Sequence, residues 1–156
     1  MKKLNLYVFF LIFSALSLFS QENAATRPGS NSSQFINVPD ELQIRCTNFF
    51  DLLGRNEFKE AFDNLLLNSP FRNKEEQVKN LIDQTKQAVV LYGKIKGGEA
   101  VSSEIACPSL IRLRYLGIQS NYPMRWIFTF YNSPKSGWIV VNVKLDDMSE
   151  YFFSDE

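Results

Sequence analysis

The chain has 156 residues, 45% of them hydrophobic, with 17 basic against 17 acidic side chains and no histidine. That length suits one domain behind an export signal, and the even charge leaves no nucleic-acid or anionic-membrane footprint. Without histidine the commonest general base and the commonest metal ligand are both missing, so schemes built on either are excluded.

Met1 to Ser20 opens with Lys2 and Lys3 and continues as an apolar run from Leu4 to Phe19, broken by Asn5, Ser14 and Ser17. This is the layout of a signal peptide, and the run is shorter than the ~20 apolar residues a membrane span needs. Residues 1–20 are expected to be removed near Ser20, leaving an exported (periplasmic or secreted) chain with no membrane partner; a retained anchor is the alternative. Loss of the two leader lysines leaves 15 basic residues against 17 acidic ones. Residues 21–37 are polar, contain Pro28 and Gly29 and have little to bury, so they read as a disordered linker. Within them Asn31-Ser32-Ser33 fits the glycosylation triplet.

Residues 38–150 read as one domain, with 151–156 as a tail. From Asp40 the apolar residues Leu42, Cys46, Phe49, Phe50 and Leu53 fall on one helical stripe, with Pro39 at its start and Gly54 at its end. Asn56 is placed to cap a second helix carrying Phe58, Ala61, Phe62, Leu65 and Leu66, which Ser69-Pro70 stops. Asn73 followed by Glu76 resembles a capping box for a third helix, with Val78, Leu81, Ile82, Thr85, Val89 and Tyr92 inward and Gly93 closing it.

After Gly97-Gly98 the period changes from 3.6 to 2, predicting strands over Ala100–Ala106 and Leu110–Ile118. Two aromatic, β-branched runs then flank Asn-Ser-Pro-Lys-Ser-Gly and read as a hairpin. Pairing Phe130 with Trp138 sets Val140 opposite Phe128, so Met124, Trp126, Phe128, Phe130, Trp138 and Val140 share one face. Ile127, Thr129, Tyr131, Ile139, Val141, Val143 and Leu145 then share the other. A hairpin apolar on both sides needs the domain over one face and a further helical turn, a ligand or a second subunit over the other. The expected class is α+β: N-terminal helices packed on a curved antiparallel sheet of about four strands. Tyr151-Phe152-Phe153 is expected to dock back on the body or to fray.

The opening FFDLLGRNEFKEAFDNL, the junction YGKIKGGEAV and the close WIFTFYNSPKSGWIVVNVKLDD, in that order, resemble the cystatin-like α+β cone of the nuclear transport factor 2-like superfamily. The likeness runs from about Val38 to Asp147 and is closest to that superfamily's small exported bacterial domains of unknown function. Members include isomerases, dehydratases, ligand carriers and dimerisation modules, so the fold alone does not choose among them. Enzymes of the superfamily use an Asp base with Tyr or acidic donors inside the cone; Tyr92, Tyr115, Asp63 and Glu104 are the nearest counterparts, none of them in a matching motif.

Arg112, Arg114 and Arg125 lie on strand positions from which guanidiniums hold a carboxylate or phosphate, or else pair with local acids such as Glu104 on a solvated face. Asp146, Asp147 and Glu150 lack the alternating spacing of a calcium loop and read as a solvated acidic end. Cys46 and Cys107 are either two thiols or one disulfide closing a loop of roughly 60 residues, worth about 4 kcal/mol. The candidate ligand-contacting residues are Tyr92, Tyr115, Arg112, Arg125 and Trp126, with no cofactor, metal or nucleic acid expected. The expected function is a non-catalytic binding or assembly module for a small apolar ligand or a protein, as a homodimer through the sheet. The alternative is a cofactor-free isomerase- or dehydratase-like enzyme using Tyr and carboxylate groups.

Overall fold

The computed structural model describes residues 37–153. The expected signal peptide (residues 1–20), residues 21–36 of the expected linker with the Asn31 triplet, and residues 154–156 lie outside the described residues. Among those described, no helix is long and apolar enough to cross a membrane.

Three helices, α1 (Asp40–Gly54), α2 (Phe58–Leu65) and α3 (Glu75–Tyr92), precede four strands, β1 (Ile95–Cys107), β2 (Leu110–Gln119), β3 (Met124–Ser133) and β4 (Gly137–Asp146). The strands form one antiparallel sheet in the order β1-β2-β3-β4, so β4 is an edge strand and β3 lies inside. Helix α1 starts after Pro39, with Asp40 and Glu41 in the first turn where the helix dipole favours acids. Its stripe of Leu42, Cys46, Phe49, Phe50 and Leu53 is wholly buried, as are Ala61, Phe62, Leu65 and Leu66 of the next segment.

The helix starts after α1 differ from the sequence reading. Asn56 takes a left-handed conformation (φ 63°), which asparagine tolerates, and makes the bend between helices while Glu57 precedes α2. The Asn73–Glu76 box is not formed: Pro70–Asn73 is a 3-10 turn capped by Ser69, and α3 begins at Glu75 without a side-chain cap.

Phe49 holds helix to sheet. Its ring meets Trp126 at 5.2 Å, Phe128 at 5.5 Å and Phe62 at 5.1 Å, all edge to face. Such pairs add ~0.5 to 1.5 kcal/mol each beyond area burial. Phe50 lies on β1, which begins at Ile95 and runs through Gly97-Gly98 rather than after them. The reason is contact: a β-carbon at Gly98 would collide with the Phe50 ring, so the strand continues under α1 only because the residue there has no side chain.

The hairpin register also differs. Phe130 pairs with Val140 and Asn132 with Trp138, the turn being the three residues between Ser133 and Gly137, with Gly137 left-handed at φ 65°. A bulge then sets Thr129 opposite Asn142, leaving Val141 unpaired, and returns Val143 and Leu145 to the inner face opposite Phe128 and Trp126. Ser69 Oγ stabilises this irregularity by donating to the Val140 carbonyl at 2.5 Å. The outer face therefore keeps Ile127, Thr129, Tyr131 and Ile139 but interleaves them with Arg112, Arg114, Arg125 and Lys144.

Gly98→Ala should lower stability by about 1 to 3 kcal/mol through this clash. Adding Phe50→Leu should make the two costs sub-additive, as urea denaturation of the four variants would show.

Candidate functional site

The sequence-derived candidates do not form one pocket. Trp126 and Tyr115 are cross-strand neighbours on the inner face, both buried. The Trp126 indole N–H lies against Gly117, where a β-carbon would come within 2.7 Å, and has no hydrogen-bond partner among the described residues. Tyr115 faces Phe50 and the Cys46 thiol. Burial pushes that thiol and the Tyr115 phenol well above their ordinary values, so both stay protonated and neutral at any physiological pH. Cys46 and Cys107 are both free, the first in the core and the second exposed at the end of β1; the bridge that the sequence allowed is not formed.

Arg112 and Arg114 project from the outer face, where both donate to Glu104 Oε2, at 3.2 and 3.1 Å. Arg125 grips Asp146 with two bonds of 2.9 and 2.8 Å, and its guanidinium lies 5.0 Å from the centre of the Tyr151 ring. That contact docks the tail at Tyr151, while Phe153 is exposed. Asp63 pairs with Lys59 and Arg72 on the helix surface.

Among the described residues two depressions bring side chains together from separate elements: a larger one between α2 and α3, lined by Asp63, Arg72 and Lys79, and one where α3 ends beside the edge strand. A crevice of about 210 Å³ opens there between helix and sheet. Gln84, Gln87, Ala88 and Leu91 supply the helix wall, being spaced at three and four residues on one face of α3. Met124 and Leu145 form the apolar floor, the second placed there by the β4 bulge. Tyr92, Asp146 and Asp147 close the end.

Tyr92 Oη donates to Asp147 Oδ2 at 2.7 Å, and its ring packs on Tyr122 at 5.4 Å. The hydrogen bond to Asp147 raises the phenol's pKa, keeping it a donor. Of the five candidates Tyr92 lines this crevice and Arg125 holds Asp146, which also lines it, while Trp126 is packed in the core and is not in the lining. Arg112 and Tyr115 do not line it. The sequence reading missed Gln84, Gln87 and the role of Asp147; the first two sit on the helix between inward positions, where a third helical face was visible but unassigned.

Among the described residues Ser69, Thr85 and Gln119 are the buried residues of polar type, none of them a carboxylate. Among the described residues no group of three His, Cys, Asp or Glu is placed to hold a metal ion. Comparison with protein families, curated proteins and solved structures returns no match.

In the native protein a thiol reagent should modify Cys107 at once and Cys46 only on unfolding; equal rates would contradict the burial. The folded chain retains the Cys46 and Tyr115 protons that the unfolded chain releases above their ordinary values of 9.0 and 10.0. Stability is therefore intact below that range and should fall as pH rises through it, a slope that Cys46→Ala with Tyr115→Phe should flatten in urea titrations.

Proposed function

We propose that this protein is an exported, non-catalytic binding module whose ligand lodges in the crevice between α3 and β4. The order of three helices and an antiparallel meander is also what supports placing it with the nuclear transport factor 2-like superfamily.

The supporting observation is the packing of the interior. Phe49, Phe62, Trp126, Phe128 and Phe130 fill the space between helices and sheet, each under 2% exposed, so a ligand meets the protein at its margin. The α3–β4 crevice joins an apolar floor to converging amide, phenol and carboxylate groups, the mixture typical of small-molecule sites. An enzymatic reading needs a carboxylate facing a tyrosine in a water-excluding site. Three of the candidates are spread apart: Asp63 is ion-paired on the helices, Glu104 holds two arginines on the outer face, and Tyr115 faces Cys46, while Tyr92 does face a carboxylate, Asp147, but at an exposed position open to water.

Titration of the methyl-labelled protein with hexan-1-ol tests the location. The expected result is saturable shifts at the Met124, Leu145 and Ala88 methyl groups, with Leu113 and Val140 unmoved. Largest shifts at Leu113 and Val140 would place the site inside the core and overturn the proposal.

A further inference from the structure

We infer that the α3–β4 crevice selects a small organic cation, a primary ammonium carried on a short apolar chain. The inference rests on the crevice being the binding site and adds the charge of its ligand.

The lining contains two carboxylates, two carboxamides and a phenol, and neither lysine nor arginine. The two carboxylates are not equivalent. Asp146 is neutralised by Arg125, which takes both of its oxygens, and the Met148 N–H donates to Oδ1 as well. Asp147 receives only the Tyr92 hydroxyl, on Oδ2, and among the described residues no cation pairs with it. Its charge is left for a ligand.

The surroundings favour an ammonium over other cations. An ammonium brings three donors and no acceptor, which suits Asp147 Oδ1 and the carboxamide oxygens of Gln84 and Gln87. The Tyr92 ring, which lines the crevice and bonds Asp147 through its hydroxyl, adds an aromatic group that attracts a cation. The Met124 and Leu145 floor accepts the carbon chain while the charged head stays at the exposed Asp147. A carboxylate or phosphate would meet Asp147 with like charge and find no guanidinium or ammonium in the lining.

The experiment compares hexylammonium, hexan-1-ol and hexanoate, three probes of one length, binding to the full chain by calorimetry or methyl NMR. Hexylammonium should bind at least about tenfold more tightly than the alcohol, a difference of about 1.4 kcal/mol, with hexanoate weakest. The advantage should shrink as salt is raised. Asp147→Asn, at an exposed position, should remove the ammonium's advantage over the alcohol, bringing the two affinities within about twofold of each other. Equal binding of alcohol and ammonium would overturn the charge selection while leaving the crevice as the site. Failure of all three probes to bind would overturn both readings. An ammonium preference that survives Asp147→Asn would overturn the assignment to this carboxylate.

Discussion

The edge-to-face packing of Phe49 against Trp126 and Phe128 is the contact on which the other features depend. It joins the first helix to the third strand, two segments far apart in the chain, and it does so with rings that leave little space between layers. Burying each such side chain contributes ~1.5 to 3 kcal/mol, a large share of the 5 to 15 kcal/mol typical of a domain's net stability. Phe50 extends the contact to β1, and Gly98 is the residue that lets it approach.

With these rings packed between the layers, the proposed site lies at the margin of the domain. The outer face of the sheet is occupied by charge pairs, with Glu104 holding Arg112 and Arg114 and Asp146 holding Arg125. Exposed pairs of this kind contribute little to stability, but they consume the donors that an anion site on that face would need. The end of α3 differs in that a crevice there is lined by side chains from both the helix and the sheet edge. Tyr92 and Asp147 tie the two walls together there without closing the opening.

The helices were legible because their inward positions recur every three or four residues, and burial alone decides that pattern. Leu42, Cys46, Phe49, Phe50 and Leu53 needed no knowledge of their neighbours to be assigned inward. The hairpin register was not legible in the same way. Strand facing depends on a turn of three residues with Gly137 left-handed, and on a bulge at Val141 that is held by Ser69 from the helical half. One extra residue exchanges the faces of everything beyond it, which is how Val143 and Leu145 moved inward. The crevice was illegible for a related reason. Its defining bond, Tyr92 to Asp147, spans 55 residues and becomes visible only once the sheet has brought the chain back. Of the residues singled out beforehand, Tyr92 stood at the right place because an apolar stripe ended with it. Asp147 read as one of several solvated acids.

Xenon is a direct probe of empty apolar space, since it enters dry cavities within protein interiors. A crystal of the protein held under xenon pressure should show no xenon atom in contact with Phe49, Phe128 and Trp126, while occupancy against Met124 and Leu145 in the α3–β4 crevice is compatible with the account. Xenon bound among the three rings would mean that the interior holds a cavity, and that the argument for a marginal site is wrong.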